Sequence, residues 1–245
     1  MILPFSIQSI PCGVPMSPRA SLMSVPYTSL EGESWFLEAE FLPSEGCSKE
    51  LVVICHPHPL YGGEMHNNVV DALYHGLSDE RCTARFNFSG VGGSDGGYEN
   101  GDGEVGQVKA IIDYMCGEFV QEQSCSAWNK IHVIGYSFGA AMAVPAALAM
   151  DKVSSCTAIA FPFDMFSKNA ADSILLQAKR RMPMLFLTGD RDDFTPVRSF
   201  KQWVGKFGGV VQTIIPGVDH FFGGHERQLV AETRKFLNVL NQDRS

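Results

Sequence analysis

Short apolar, β-branched runs alternate with amphipathic stretches along most of this chain. Residues 104–120 carry apolar side chains at helical spacing, which predicts a helix with one apolar face. The apolar runs have the length and character of buried strands, and they lie at 51–55, 83–88, 131–135, 155–161, 184–188 and 210–215. Strands that alternate with helices predict a largely parallel, doubly wound sheet with helices on both faces.

An antiparallel pair is predicted ahead of this alternation. Residues 34–42 form a long early strand, and the turn at Glu31-Gly32 would pair it with residues 23–29. This pair gives the sheet about eight strands. Residues 1–21 lie outside the pattern, and the first 23 residues hold four prolines and no acidic residue. We interpret 1–21 as a disordered extension, with an organelle transit peptide as the alternative, and 22–245 as one domain.

The run Gly135-Tyr-Ser-Phe-Gly139 follows one predicted strand and precedes a helix-prone, alanine-rich stretch. A serine between two glycines in a strand–turn–helix context is the nucleophile elbow, in which a strained turn exposes the serine oxygen. The motif is weak by itself, because glycine and serine are common residues. It predicts Ser137 as a nucleophile only if an acid and a histidine follow it.

An acid follows the next strand but one. Three aspartates, Asp190, Asp192 and Asp193, come after the apolar run that ends at Gly189, where open α/β sheets bind their ligands. The spacing to Pro196, a plausible first helical residue, favours Asp192 as the acid. Asp190 and Asp193 fit a simpler role as loop carboxylates that cap a helix.

A histidine follows the last predicted strand. His220 lies on a loop before the helical stretch 226–240, and its side chain can exchange a proton with serine near neutral pH. His75 and His225 are interpreted as structural. The order Ser137, Asp192, His220 is that of α/β hydrolases and differs from the orders in chymotrypsin and subtilisin.

Stabilisation of an oxyanion needs two N–H groups, one of them from the residue after the nucleophile, here Phe138. The second would come from His56-Pro-His-Pro-Leu-Tyr61, the loop after the strand at 51–55. Prolines have no N–H, which leaves His58, Leu60 and Tyr61; Leu60 is favoured, with His58 close behind. We predict no metal site at His56, His58 and His66, since no cysteine or carboxylate cluster completes one.

These motifs resemble the signature of a small α/β-hydrolase family that is similar to the dienelactone hydrolases and is labelled as predicted esterases. The matching segments lie at 56–70, 85–94, 135–139 and 219–222, and the resemblance covers roughly residues 22–241. It implies an α/β-hydrolase fold and a serine esterase with Ser137, Asp192 and His220 as its triad. Dienelactone hydrolases use cysteine where this chain has Ser137, so their substrate is not carried over.

Composition and net charge narrow the classes of partner, location and cofactor that we expect for this chain. Apolar residues make up 45% of the 245, and the net charge of −8 disfavours nucleic acid and anionic membranes as partners. No run reaches 18 apolar residues, and the seven cysteines lack paired spacing, which indicates a reducing, cytoplasmic location. The glycine-rich run 89–97 fits neither the dinucleotide nor the P-loop pattern, so no cofactor is predicted.

The sequence therefore predicts a serine hydrolase of small or medium carboxylic esters or thioesters. The 22 residues Pro162–Pro183, between two predicted strands, leave room for one helix and hence a minimal lid. Two alternatives remain: a non-catalytic binding module on the same scaffold, and an enzyme that transfers the acyl group to an acceptor other than water.

Overall fold

The computed structural model of the 245-residue chain describes residues 19–46, 48–122, 127–163, 182–205 and 210–242. The strands of these residues are β1 (Ser21–Thr28), β2 (Ser34–Leu42), β3 (Glu50–Cys55), β4 (Cys82–Phe86), β5 (Lys130–Tyr136), β6 (Ser155–Ile159), β7 (Met184–Gly189) and β8 (Val210–Ile215). The α-helices are α1 (Asn68–Gly76), α2 (Asp102–Cys116), α3 (Glu118–Glu122), α4 (Phe138–Ala149), α5 (Val197–Val204) and α6 (Glu226–Gln242).

The described strands form one eight-stranded sheet in the order β1-β2-β4-β3-β5-β6-β7-β8. β1 pairs antiparallel with β2, and β2 pairs antiparallel with β4. From β4 to β8 all neighbours are parallel. The predicted fold class, a mostly parallel sheet of about eight strands in the α/β-hydrolase fold, is confirmed.

Both faces of the sheet are covered, as the continuous apolar runs predict. Alternate residues of β3 enter different cores: Leu51 and Val53 pack on the face that α2 and α4 cover. Val52 and Ile54 pack on the opposite face, which α1 and α6 cover. The strands in the middle of the sheet are thus fixed from two sides, and their carboxyl ends form a rigid edge.

Three local predictions need comment. The sequence places Pro145 in the helix after the nucleophile, where a proline is expected to kink the helix or end it early. α4 nevertheless continues to Ala149, because most of its residues are buried and packing outweighs the lost hydrogen bond. β1 begins at Ser21, inside the extension predicted for 1–21, of which 1–18 lie outside the described residues. The predicted minimal lid falls largely on 164–181, which also lie outside them.

Candidate active site

The three residues predicted to act together follow three different strands of the parallel part of the sheet. Ser137 comes directly after β5, Asp192 three residues after β7, and His220 five residues after β8. Carboxyl ends of parallel strands meet at one edge, where open α/β sheets bind ligands. The sheet therefore brings residues 83 positions apart in the sequence to one place.

Ser137 occupies a strained backbone conformation between β5 and α4. Its φ is +54° and its ψ is −119°, a region that a residue with a side chain rarely adopts. A Cβ atom at Gly139 would lie 2.5 Å from the His56 carbonyl oxygen. A Cβ at Gly135 would run into the backbone of Gly139. Both glycines are needed because the turn packs against its own helix and against the end of β3, which is the geometry of a nucleophile elbow.

A continuous chain of hydrogen bonds joins the three side chains. His220 Nε2 lies 3.0 Å from Ser137 Oγ, and His220 Nδ1 lies 2.9 Å from Asp192 Oδ2. Asp192 is 3% exposed and His220 is 8% exposed, so little water competes with these bonds. Because an ionised carboxylate only accepts, Nδ1 carries the ring proton and Nε2 is free to accept from the Ser137 hydroxyl.

Asp192 is held by its own loop. Its Oδ1 accepts from the backbone N–H groups of Phe194 at 2.9 Å and Thr195 at 2.8 Å. The Thr188 hydroxyl donates to its Oδ2 at 3.3 Å. With His220, these donors fix the carboxylate on both oxygens, so that it orients the imidazole.

The two neighbouring aspartates lie elsewhere. Asp190 accepts from the backbone N–H of Gly217 at 2.6 Å, and Asp193 is exposed. α5 has Pro196 at its N-cap position and no side-chain cap, so the helix-capping role expected for Asp190 and Asp193 is wrong there. The physical reason is competition: the Asp190 carboxylate already accepts from the turn at Gly217.

Tyr136 supports the histidine from beneath, a role that sequence reasoning missed. Its hydroxyl donates to the backbone carbonyl of His220 at 2.8 Å. Burial first, then the nearby Asp192 and Asp219 carboxylates, raises the pKa of Tyr136, so it remains a hydroxyl donor at neutral pH. The residue stands inside the serine motif, but nothing local connects it to a loop 84 residues later.

The loop after β3 contains a short 3-10 helix, Pro59–Tyr61, beside the elbow. The rings of His58 and Phe138 are 4.6 Å apart, which brings this loop against the start of α4. The Leu60 N–H already donates to His58 Nδ1 at 3.2 Å, and the Tyr61 N–H donates to the His58 carbonyl at 3.1 Å. In the described part of the chain, the His58 N–H has no such partner.

His56 fixes the same loop to the segment that follows the neighbouring strand β4. Its Nδ1 donates to the Pro57 carbonyl at 2.6 Å, and its Nε2 accepts from the Phe88 N–H at 3.0 Å. Burial is the main cause that lowers the pKa of His56 to about 4, so the ring is neutral and each nitrogen has one fixed role. Sequence reasoning considered this histidine only as a metal ligand.

Asn87 supports loops rather than pointing at the nucleophile. Its Oδ1 accepts from the Met65 N–H at 2.8 Å, and its Nδ2 donates to Glu38 Oε2 at 2.7 Å. Glu38 also accepts from the Gly93 N–H at 2.8 Å. The glycine-rich loop is thereby tied to β2, next to the loop after β3.

A metal-binding cluster and a membrane-spanning helix are both absent from the residues that the structure describes. No group of three or more His, Cys, Asp or Glu side chains in these ranges is placed to hold a metal ion. None of the helices described is both long and apolar enough to cross a membrane.

A parallel sheet with a strained serine turn after a central strand, and an acid and a histidine after later strands, defines the class of α/β hydrolases. A model of the family described as "Alpha/beta hydrolase domain" matches residues 49–242. The chain belongs to this family, and the family supports hydrolase activity.

Similar proteins come from several bacteria. An uncharacterized protein of Rickettsia prowazekii is 30% identical over 238 residues, which cover 90% of this chain and 96% of that protein. An alpha-beta serine hydrolase homologue from Coxiella burnetii is 30% identical, with a TM-score of 0.71 and coverage of 91% and 97%. A protein of unknown function from Agrobacterium tumefaciens is 25% identical, with a TM-score of 0.75 and coverage of 91% and 98%.

Proposed function

We propose that this protein is a serine hydrolase that cleaves small or medium carboxylic esters or thioesters through an acyl-enzyme. The observation that carries the proposal is the chain of contacts from Ser137 Oγ through His220 to Asp192, with distances of 3.0 and 2.9 Å. The similarity to a serine hydrolase homologue at 30% identity supports the same chemistry.

In the acylation step, Ser137 Oγ attacks the carbonyl carbon while its proton passes to His220 Nε2. The new Oγ–C bond forms a tetrahedral intermediate. When it collapses, the bond from carbon to the leaving oxygen (or sulfur) breaks, and His220 gives its proton to that atom. Asp192 holds the imidazole in the tautomer that this sequence needs and stabilises its protonated form. Water then repeats the steps on the acyl-enzyme.

The carbonyl oxygen becomes negatively charged in the intermediate, and backbone N–H groups would stabilise it. Phe138 is the first residue of α4, so its N–H has no partner inside the helix and also benefits from the helix dipole. We propose His58 as the second donor, because the N–H of Leu60 is already used. Each such donor contributes about 10²–10³ in kcat in enzymes of this chemistry.

Two other functions remain as alternatives. A binding module would need neither the strained backbone at Ser137 nor the full chain of contacts, and that strain costs on the order of 1–3 kcal/mol. Acyl transfer to another acceptor uses the same acylation step, so only the fate of the acyl group separates it from hydrolysis. The contacts among Ser137, His220 and Asp192 therefore support the acylation step, which hydrolysis and acyl transfer share.

The test has two parts. A fluorophosphonate probe should label the wild-type protein at Ser137, and a panel of p-nitrophenyl esters, thioesters and amides should show ester turnover. Ser137→Ala should abolish labelling and lower turnover by a factor on the order of 10⁶. Ser24→Ala, an exposed serine on the edge strand β1, is the matched control and should change neither.

Near wild-type turnover in Ser137→Ala would refute the proposal. Labelling without ester turnover, together with acyl transfer to added alcohols or amines, would favour the acyltransferase alternative. Neither labelling nor turnover would favour the binding module.

A further inference from the structure

Large apolar side chains are exposed around the candidate active site. Nine are exposed in the described part of the chain, and four of them lie in the loops that carry His58, Asp192 and His220. Phe194 is 60% exposed and Phe221 is 61% exposed. We call these two residues the aromatic pair. Leu60 and Tyr61 are the other two, on the loop after β3.

The two rings of the aromatic pair lie beside the imidazole of His220. The Phe194 ring lies 4.7 Å from the His220 ring between centroids, and the Phe221 ring lies 5.7 Å from it in an edge-to-face arrangement. The two phenyl rings are 6.4 Å apart at 82° to each other. Together they form an apolar wall with a corner beside the histidine, a shape suited to a further ring or alkyl group.

Hydrogen bonds of the backbone hold both residues of the aromatic pair in place without a contribution from their rings. The Phe194 N–H donates to Asp192, and the Phe221 N–H donates to Asp219 at 3.0 Å. The Phe221 carbonyl accepts from Asn68 Nδ2 at 3.0 Å. Because polar bonds position both residues and both side chains remain exposed, core packing does not explain why two phenyl rings stand there.

The chemistry of the proposed reaction assigns this wall to one part of the substrate. His220 must donate a proton to the leaving oxygen, so that oxygen lies within hydrogen-bonding reach of Nε2 when the bond breaks. The group attached to that oxygen then lies beside the imidazole. Rings that contact His220 therefore contact the alcohol or thiol portion of the substrate before they can contact the acyl portion.

We propose that Phe194 and Phe221 form the binding surface for the leaving group and select esters whose alcohol portion is apolar and bears a ring. The inference rests on the proposed function, since it needs His220 to act on a leaving oxygen. It assigns a substrate class to the alcohol side: benzyl-like alcohols are preferred over small polar alcohols.

The experiment compares acetates that share one acyl group. Benzyl acetate and 2-methoxyethyl acetate differ in the ring but form the same acetyl-enzyme, so their ratio of kcat/KM reports acylation alone. Ethyl phenylacetate carries the ring on the acyl side and is compared with ethyl acetate in the same way. Each ratio is measured within one enzyme preparation, so partial misfolding of a variant cancels.

The wild type should prefer benzyl acetate over 2-methoxyethyl acetate. Phe194→Ala and Phe221→Ala should each reduce this ratio by roughly tenfold, the size of a lost aromatic contact. Phe194→Leu should retain part of the preference, because leucine keeps apolar area without the ring. Phe36→Ala is the matched control: this phenylalanine is 51% exposed on β2, and β4 and β3 separate it from β5.

An unchanged benzyl-to-methoxyethyl ratio in both alanine variants would overturn the inference. A loss confined to the ethyl phenylacetate ratio would also overturn it, because it would place the pair on the acyl side. In both cases Ser137-dependent turnover of 2-methoxyethyl acetate would leave the proposed function intact. Absence of turnover on every ester, with no fluorophosphonate labelling, would refute both the proposed function and the inference about the aromatic pair.

Discussion

The surroundings of Asp192 make Asp192→Asn a sharp test of the proposed triad. The substitution keeps the size of the side chain and replaces one oxygen by an NH₂ group. Oδ1 faces two backbone N–H donors, of Phe194 and Thr195, at 2.9 and 2.8 Å. An NH₂ group cannot face two donors, so the asparagine oxygen takes this position and its nitrogen takes the position of Oδ2.

That orientation places a donor against His220. Oδ2 lies 2.9 Å and Oδ1 lies 3.0 Å from His220 Nδ1, so an NH₂ group at the Oδ2 position competes with the remaining oxygen for Nδ1. Because that oxygen already accepts from two backbone N–H groups, we expect the NH₂ group to donate to Nδ1, which moves the ring proton to Nε2. Nε2 would then present a proton to Ser137 Oγ, 3.0 Å away, and could not act as a base. We expect kcat to fall about 10⁴-fold, the size of this tautomer effect in serine hydrolases. This corresponds to roughly 5–6 kcal/mol in the activation barrier.

The assay is kcat for a p-nitrophenyl ester, together with the rate of fluorophosphonate labelling. Asp190→Asn and Asp193→Asn are the matched controls, since both are exposed neighbours and neither contacts His220 in the structure. Each should keep kcat within tenfold of the wild type. Thermal unfolding should show that Asp192→Asn remains folded, because the asparagine oxygen still accepts from the loop.

Two results would refute this reasoning. If Asp192→Asn kept kcat within tenfold of the wild type, the carboxylate would not set the tautomer. If Asp190→Asn or Asp193→Asn lost as much activity, another aspartate would be the acid, and the placement of Asp192 would be structural.

Two further predictions concern the loop after β3 and the elbow. Gly139→Ala should lower stability by about 1–3 kcal/mol, seen as a lower Tm, because its Cβ meets the His56 carbonyl at 2.5 Å; Gly46→Ala, with open space around it, should not. Burial lowers the pKa of His56 from 6.5 to about 4, so the unfolded chain takes up a proton at a higher pH than the folded protein does. The stability that is present above pH 6.5 is therefore lost as the pH falls toward 4. Urea unfolding at about pH 7.5 and 4.5 should show a pH-dependent loss of stability roughly 2–3 kcal/mol smaller in His56→Gln than in the wild type. An equal loss in both would contradict a buried neutral ring held by Pro57 and Phe88.

The strands of the sheet could be predicted from the sequence because buried parallel strands are continuous apolar runs. The runs at 51–55 and 210–215 are strands within one residue of the predicted ends. The position of β4 between β2 and β3 could not be predicted from the sequence in the same way. Strand order depends on how loops cross the sheet, and a crossover leaves no periodic pattern in the residues that make it.

The same distinction applies to the candidate site. Ser137, Asp192 and His220 each follow a strand, and the sheet fixes the positions directly after its strands, so chain order was enough to predict that they meet. The support of His220 by Tyr136 was missed because one hydroxyl and one carbonyl join the end of β5 to the loop after β8. No residue pattern within either segment records such a bond.

The histidines of the loop after β3 show why local sequence could not rank the oxyanion donors. His56 and His58 stand two residues apart and look alike in the sequence, yet His56 is fully buried and His58 is partly exposed. What separates them is a partner 32 residues away: the Phe88 N–H fixes the His56 ring beneath the loop. The His58 ring then accepts the Leu60 N–H, so the donor favoured by the sequence is already used. A backbone N–H becomes available for a substrate only after every competing acceptor has been placed, and those acceptors come from the folded chain.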